Sequence, residues 1–226
     1  MTTLISTDSR DPWVRRLYLP AYQVQDAARY AGITTQTVRN WQRAGRESGA
    51  AIAARRLRES LSYLQLQELA IVSAMREQGI TLQKIRLARE YLSSSLSLEF
   101  PFSDRRVKTD GQDILLDFRE QLGGALKLLV ANKGGQYVWR EIIGNRFEEF
   151  EYERDLAVRW RVGGTRTGII IDPRISFGAP SIKGVPTWAL RGRHTAGEAI
   201  DDIAKDFVIS ESDVRKALKF EGITIQ

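Results

Sequence analysis

Residues 21–43 read AYQVQDAARYAGITTQTVRNWQR, and this segment predicts a helix-turn-helix. A first short helix carries small apolar residues at helical spacing, namely Val24, Ala27, Ala28 and Ala31. Gly32 follows where the chain turns sharply, because glycine accepts a left-handed backbone without a Cβ clash. The hydroxyl of Thr34 or Thr35 then caps a second helix. That helix directs Val38 and Trp41 inward, which completes a small core between the two helices.

The outward face of the second helix consists of side chains that donate and accept hydrogen bonds, namely Thr35, Gln36, Arg39, Asn40 and Arg43. Arginine and asparagine pair with guanine and adenine edges in the major groove of DNA. An ordinary helical hairpin with a polar exterior is the alternative, but the pattern of small, glycine and apolar positions favours DNA binding. The predicted DNA-binding residues are Thr34, Thr35, Gln36, Thr37, Arg39, Asn40, Arg43, Arg46, Arg55, Arg56 and Arg58.

The net charge of +6 is concentrated in one part of the chain. Residues 1–92 hold 14 Lys/Arg and 8 Asp/Glu, whereas the other residues hold 20 of each. A basic cluster of this kind suits a phosphate backbone, where each contact releases counterions. From charge alone, a solvated basic face is an equally good interpretation, so the argument for DNA depends on the helix-turn-helix.

The composition excludes several classes of protein. The chain has no cysteine, which excludes disulfides, thiolate nucleophiles and zinc fingers. The single histidine, His194, excludes most histidine metal sites and Ser-His triads. No apolar run approaches the roughly 20 residues that span a bilayer, and residues 1–10 lack the apolar stretch of a signal peptide. We therefore expect a cytoplasmic protein that does not act at a membrane.

Residues 45–58 are rich in glycine and arginine and lack a helical apolar period, as a basic wing or loop would. Two further helices are predicted downstream, because Gly79 ends the first and Thr81 can cap the second. Residues 22–92 thus resemble the DNA-binding domain of the MerR family, in which a helix-turn-helix and a wing precede two helices. The wing segment, GRESGAAIAARRLRES, departs from that family's short arginine–tyrosine hairpin. The family's dimerising coiled coil, effector domain and metal-binding cysteines do not appear in the sequence.

Residues 98–166 are predicted to form a β-rich middle region. Arg106–Lys108 and residues 113–118 flank a turn as the strands of a hairpin would, and residues 156–162 alternate as a strand does. Five carboxylates then crowd one stretch, namely Glu148, Glu149, Glu151, Glu153 and Asp155. Carboxylate pairs serve acid–base chemistry or hold metals, but no cysteine or phosphate-binding loop accompanies these, so a solvated acidic edge is favoured. No catalytic residue, metal ligand or cofactor is predicted.

The C-terminal part predicts a strand over residues 169–171 and two helices over residues 198–206 and 210–220. These helices repeat the apolar spacing of the first helix-turn-helix, with Val208 at the position of Gly32. Ser210 is the predicted cap of the last helix, with Asp213 three residues on. Because residues 197–221 hold 4 basic and 7 acidic side chains, their carboxylates would repel phosphates. A protein-interaction or dimerisation role is therefore favoured over DNA binding.

Two motifs carry a second resemblance: IDPRISFGAPSIKGVPTWAL at residues 171–190 and GEAIDDIAKDFVISESDVRKAL at residues 197–218. They resemble a prokaryotic family of unknown function, apart from a shortened KGVPT. Members of that family are commonly antitoxins encoded beside small PIN-like ribonucleases. With the MerR-like N-terminus, the chain resembles a VapB-type antitoxin of mycobacteria. The resemblance implies that the protein neutralises a toxin ribonuclease and represses its own operon, with candidate toxin-binding residues Lys183, Trp188, Arg191 and Arg193.

The prediction for the whole chain is a mainly α fold with a small β-rich middle. It comprises a MerR-like winged helix-turn-helix over residues 1–97, the middle region over residues 98–166, and a helix-turn-helix-like antitoxin domain over residues 167–226. The predicted partners are operator DNA, a PIN-like toxin and a second copy of the chain. A stand-alone MerR-like regulator, whose C-terminal domain dimerises or senses a ligand, is the alternative. An enzyme that uses the carboxylates near Glu151 is the least favoured interpretation.

Overall fold

The computed structural model describes residues 11–46, 48–56, 58–109 and 144–224. The chain divides into two compact units, one ending at Ala157 and the other beginning at Val158. The prediction of a mainly helical fold with a small β-rich region is confirmed, since short strands form only two small sheets in the part that the structure describes. The predicted division into three domains stays a prediction. Among the described residues, no helix is long and apolar enough to cross a membrane.

Seven helices are described in the first unit: α1 Pro12–Tyr18, α2 Val24–Tyr30, α3 Thr35–Trp41, α4 Tyr63–Glu77, α5 Leu82–Leu96, α6 Arg105–Thr109 and α7 Gly144–Phe147. A 3-10 turn, Pro101–Ser103, precedes α6. Strand β1, Phe150–Glu153, pairs with β2, Leu156–Trp160, and the boundary between the units falls within β2. The predicted strand over residues 156–162 is therefore confirmed.

Helix α4 lies at the centre of the first unit, because its residues 63–75 are all buried. It begins at a capping box, in which the Gln65 amide donates to the Ser62 hydroxyl and the Ser62 amide donates to Oε1 of Gln65. Glu68 is fully buried on this helix. Its carboxylate accepts hydrogen bonds from the amide of Ala53 at 2.6 Å and from the guanidinium of Arg89 at 3.1 Å. This carboxylate thus joins α4 to α5 and to the loop that follows the helix-turn-helix.

The segment that follows α3 is a loop, with no strand in its described residues 42–46, 48–56 and 58–60. Its main chain is anchored at Trp41, whose carbonyl accepts the Ala51 amide at 2.8 Å. Ala51, Ile52 and Ala53 are buried. The side-chain amide of Gln65 donates to the Ala54 carbonyl at 2.7 Å. The wing position is thus a packed loop rather than a hairpin.

The middle region departs from its prediction at one place that the structure describes. Arg106–Lys108, predicted as a strand, lies within helix α6. The reason is the buried Asp104, whose carboxylate accepts the Arg106 amide at 2.8 Å and its guanidinium Nε at 2.9 Å, which caps a helix start. The second strand of the predicted hairpin, residues 113–118, lies outside the described residues. The acidic stretch forms α7, β1 and the turn at Arg154 and Asp155, both of which have positive φ.

The second unit combines a three-stranded antiparallel sheet with three helices: β3 Ile169–Ile170, β4 Ser181–Ile182, β5 Val185–Pro186, α8 Thr187–Thr195, α9 Ile200–Phe207 and α10 Glu211–Phe220. Ile169 pairs with Ile182, and Ile182 with Val185. The helices pack around Leu190, Ile203, Val214, Ala217 and Leu218, all of which are buried. The predicted strand and helix pair are confirmed, within two residues at each end.

Candidate functional site

Helix α3 presents one apolar and one polar face, as predicted. Thr34 is its cap, since its Oγ1 accepts a hydrogen bond from the Thr37 amide at 3.1 Å. Val38 and Trp41 are buried against the preceding helix. The exposed face carries Gln36, Arg39, Asn40 and Arg43, with Thr35 and Thr37 half-buried at its margins. A short helix with this exposed set can place hydrogen-bonding side chains against base edges.

The exposed face of α3 has an internal order. The side-chain amide of Gln36 donates to Oδ1 of Asn40 at 3.0 Å, one helical turn away. This bond restricts both amides before any ligand binds, which lowers the entropy lost on binding. Arg39 lies between these positions in the sequence and its guanidinium is exposed. The face therefore combines two mutually oriented amides with a cation.

Arg86 on α5 contacts the C-terminal end of α3, and the sequence analysis did not predict this contact. Its Nη2 donates to the carbonyls of Asn40 at 3.3 Å and Arg43 at 2.9 Å. These carbonyls lie at the helix C-terminus, where a cation is favourable. Gly45 leaves space for this contact, because a Cβ there would lie 2.9 Å from Nη1 of Arg86. Because Arg86 and Asn40 are 46 positions apart in the sequence, no local sequence pattern connects the two.

The arginines of the loop after α3 fall into two groups. Arg46, Arg56 and Arg58 are exposed, in line with a phosphate-facing role. Arg55 is half-buried, and its guanidinium donates to Gln42 Oε1 at 3.0 Å and to the Glu59 carbonyl at 2.6 Å. Arg55 thus holds the loop together, and its role toward DNA stays a prediction like that of the others.

The four residues predicted to meet a toxin occupy different settings in the second unit. Lys183 is exposed, with a φ of 51° in the turn between β4 and β5. Trp188 on α8 is 58% exposed. Arg191 forms an ion pair with Glu221 at 3.2 Å. Arg193 bridges Glu198 and Asp206, and its guanidinium carbon lies 5.6 Å from the centre of the Phe207 ring. Both arginines are therefore engaged within the unit.

Asp172 is a buried carboxylate that organises the start of the second unit. It accepts the Arg174 amide at 2.9 Å, the Arg174 guanidinium at 2.9 Å and the Arg159 guanidinium at 3.2 Å. Burial alone would favour the neutral acid, but the hydrogen bonds and charge of Arg174, with a hydrogen bond from Arg159, keep the pKa of Asp172 below its usual value. The carboxylate is therefore ionised and works as a structural centre.

Comparison with known proteins assigns both ends of the chain. Residues 22–92 match the model of the MerR HTH family regulatory proteins. The first unit carries a MerR-type helix-turn-helix. Residues 169–220 match a family described as a protein of unknown function, DUF433. The two resemblances inferred from the sequence motifs are therefore confirmed.

Two relatives extend the likeness to most of the chain. One is "Putative antitoxin VapB45" of Mycobacterium tuberculosis, 23% identical over 90% of this chain and 94% of that protein. The other is the X-ray crystal structure of Rv2018 from Mycobacterium tuberculosis. It covers 90% of this chain and 99% of its own, with a TM-score of 0.76 and 24% identity. That likeness shows a shared fold.

The DUF433 segment holds two features that no sequence pattern indicated. Ser176, Phe177 and Gly178 all have positive φ, of 48°, 55° and 79°. Phe177 is nonetheless 91% exposed, and Val208, with a φ of 54°, is 90% exposed. Each non-glycine residue held in this region costs on the order of 1–3 kcal/mol. Both residues thus display an apolar side chain to solvent from a left-handed backbone.

The described side chains of the acidic stretch in the middle region take part in ion pairs or face solvent. Glu149 pairs with Arg146 at 3.0 Å, and Arg154 pairs with Asp11. Among the residues that the structure describes, no cluster of acidic or histidine side chains has the arrangement of a metal site. Glu153 and Asp155 are exposed, which agrees with the interpretation as a solvated edge.

Proposed function

We propose that this protein is the antitoxin of a prokaryotic type II toxin–antitoxin pair, acting in the cytoplasm as a non-enzymatic binding protein. In this proposal it binds and neutralises a PIN-like ribonuclease toxin and represses its own operon as a homodimer. The antitoxin assignment is supported by the likeness to VapB45 over 90% of the chain. A stand-alone MerR-like regulator is the second candidate. The MerR match over residues 22–92 supports both candidates to the same degree.

One observation carries the DNA-binding half of the proposal. The exposed face of α3 holds Gln36, Arg39 and Asn40 beside a loop with exposed arginines. Helix α3 would lie in the major groove, with Arg39 and Asn40 toward base edges and the loop arginines toward phosphates. The buried Val38 and Trp41 and the Arg86 contact fix the helix from behind. A homodimer would place two such helices about one turn of DNA apart.

The test is operator affinity of the variant Arg39→Ala with Asn40→Ala. Each side chain that pairs with a base edge contributes about 1–3 kcal/mol, so the double variant should lose at least about 30-fold in affinity. Fluorescence anisotropy on the protein's own promoter fragment measures this, together with the slope of affinity against salt. The matched control is Arg215→Ala with Lys216→Ala, the equivalent positions of α10, which should bind as tightly as the unmodified protein. Unchanged affinity in the first variant would refute the site.

The antitoxin half needs a separate experiment. Co-expression with the adjacent gene, followed by native mass measurement, should yield a complex with a small acidic-site ribonuclease. The Arg39→Ala and Asn40→Ala variant should still form that complex, because the toxin would bind elsewhere. If no small protein co-purifies while promoter binding persists, the stand-alone regulator is the better assignment.

A further inference from the structure

The C-terminal end of α3 is held through its main chain by two other segments of the first unit. The Trp41 carbonyl accepts the Ala51 amide of the following loop at 2.8 Å. Nη2 of Arg86 on α5 donates to the carbonyls of Asn40 at 3.3 Å and Arg43 at 2.9 Å. Because α3 has only seven residues, about two turns, bonds at its last turn restrict the tilt and rotation of the whole helix.

The two carbonyls that Arg86 holds belong to residues of the predicted DNA-facing set. Asn40 and Arg43 have exposed side chains, and the amide of Gln36 donates to Asn40 Oδ1 at 3.0 Å. A guanidinium that fixes the main chain at these two positions also fixes the points from which their side chains extend. Recognition groups need placement within about 0.5 Å of their productive positions, so a shift of this main chain would misplace them.

Space for the Arg86 guanidinium depends on Gly45, two residues after Arg43. A Cβ at Gly45 would lie 2.9 Å from Nη1 of Arg86 and 2.7 Å from Oγ of Ser48. Gly45 does not have a positive φ, so its backbone conformation does not require glycine. Both close atoms are the ends of flexible side chains, so an alanine would move those side chains at little cost to the fold.

Helix α5, which carries Arg86, is anchored to the buried centre of the unit. Three residues after Arg86, the Nε of Arg89 donates to Glu68 at 3.1 Å. Glu68 is fully buried on α4, and Ile85 and Ala88 of α5 are buried as well. The guanidinium of Arg86 therefore reaches α3 from a helix whose own position is fixed by the core.

We infer that Arg86 is a positioning residue for DNA recognition. By holding the Asn40 and Arg43 carbonyls it sets the orientation in which α3 meets base edges, and Gly45 leaves the space that this contact requires. The inference rests on the proposed DNA-binding role of α3. It predicts that loss of the contact impairs discrimination between operator and other DNA, because base contacts depend on the angle of α3 more than attraction to phosphates does. A residue that only stabilised the fold would change binding to both DNAs by the same factor.

The test uses two glycine-to-alanine substitutions, neither of which changes the charge of the protein. Gly45→Ala is made in a Ser48→Ala background, so that the guanidinium of Arg86 is the close neighbour of the new Cβ. Gly49→Ala in the same background is the matched control, because a Cβ there meets nothing within 4 Å. Fluorescence anisotropy measures affinity for the promoter fragment and for an unrelated duplex of equal length. We expect Gly45→Ala to weaken promoter binding about 10-fold, comparable to the loss of one base contact, while the control variant and binding to the unrelated duplex are unchanged.

Two further measurements separate positioning from a general effect on stability. In an Arg86→Met chain, Gly45→Ala should have no additional effect on promoter affinity, because the guanidinium that it displaces is gone. Hydrogen exchange without DNA should be faster at the Gln42 and Arg43 amides in Gly45→Ala than in its parent, and unchanged within α4. These two amides donate to carbonyls of α3, so they report the order of its last turn.

The inference is overturned if Gly45→Ala and Gly49→Ala bind the promoter alike, or if Gly45→Ala lowers affinity for both DNAs by the same factor. It is also overturned if exchange at the end of α3 does not change. Failure of the inference and failure of the proposed function give different results. If the unmodified protein showed no preference for its promoter, the proposed function would fail and the inference with it. If that preference is present and Gly45→Ala retains it, only the inference fails.

Discussion

The two helix-turn-helix motifs of this chain share one backbone pattern and carry opposite surfaces. In the first, the amide of Ile33 donates to the Ala28 carbonyl at 2.9 Å across the turn, and in the second, the amide of Ile209 donates to Ala204 at 3.0 Å. Both following helices are capped alike, with the Thr37 and Asp213 amides each 3.1 Å from the cap hydroxyl. The turn geometry therefore does not distinguish them.

The difference lies on the outer faces of α3 and α10. Arg39 of α3 has no carboxylate on its own helix, whereas Arg215 of α10 lies 3.7 Å from Glu211 and Lys216 lies 3.9 Å from Asp213. A helix that neutralises its own cations has little charge to offer to phosphates. The comparison shows that the outward side chains decide what each motif can bind, while the shared backbone only positions them.

The largest expected effect is at the buried carboxylates that support each motif. Glu68→Ala should destabilise the first unit by about 3–5 kcal/mol, because it leaves the nearly buried Arg89 without its carboxylate partner and the Ala53 amide without its acceptor. Asp172→Ala should cost the second unit about 2–3 kcal/mol, because its arginines are partly exposed. Hydrogen exchange resolved by unit measures both. The control, Glu68→Met with Arg89→Met, should recover most of the loss.

These two carboxylates should also respond to pH in opposite directions. Burial raises the pKa of Glu68, although Arg89 opposes the shift. Its contribution is thus greatest at low pH and falls as pH rises through the raised value. The pKa of Asp172 is lowered, so its contribution is present above 3.8 and is lost as pH falls through the lowered value. The free energy of unfolding of Glu68→Gln and of Asp172→Asn is compared with that of the unmodified protein from pH 2.5 to 8, a range that begins about one unit below ordinary carboxyl pKa values. The difference from the unmodified protein should shrink with rising pH for Glu68→Gln and grow with rising pH for Asp172→Asn.

Exchanging the residues at the left-handed turn position, Gly32 and Val208, should change the stability of the two units in opposite directions. Gly32→Val places a β-branched residue at a φ of 69° and should destabilise the first unit by about 1–2 kcal/mol, although its Cβ would meet no neighbour. Val208→Gly relieves the same strain and should stabilise the second unit by about 0.5–1 kcal/mol, after the entropy of glycine in the unfolded chain is deducted. Thermal denaturation gives both signs. If both substitutions changed stability in the same direction, backbone strain at this turn position would not explain the effects.

The smallest expected effect concerns the caps. Thr34→Ala and Ser210→Ala each remove one hydroxyl acceptor and should cost about 1 kcal/mol. The two losses should agree within about 0.5 kcal/mol, since the capping distances are the same. Thr34→Ser and Ser210→Thr are the matched controls and should retain most of the stability. If the two alanine variants lost clearly different amounts of stability, the two caps would not be energetically equivalent.

Local patterns in the sequence predicted the features that depend on only a few neighbouring residues, namely turns and helix caps. The turn at Gly32 and the caps at Thr34 and Ser210 follow from spacing over a few residues. The strand predicted at Arg106–Lys108 was wrong, because the pattern did not register the capping carboxylate of Asp104.

Contacts between distant residues could not be predicted in this way. Glu68 lies on a helix whose polar residues suggest an exposed face, yet its partners are 15 and 21 residues away and bury it. The left-handed Phe177 had no signal either, because phenylalanine is not a residue that favours such a backbone. The division of roles among the loop arginines likewise depends on Gln42 and Glu59, which approach Arg55 only in the folded chain.

The grip of Arg86 on α3 has a consequence for how binding preference can change. Its guanidinium holds main-chain carbonyls at Asn40 and Arg43, and every amino acid supplies a carbonyl. Substitutions at the outer positions of the helix therefore leave the clamp intact. In the proposed function, the residue that orients the helix is therefore separate from the residues that would contact the bases, so operator preference could change without a change to the supporting contacts.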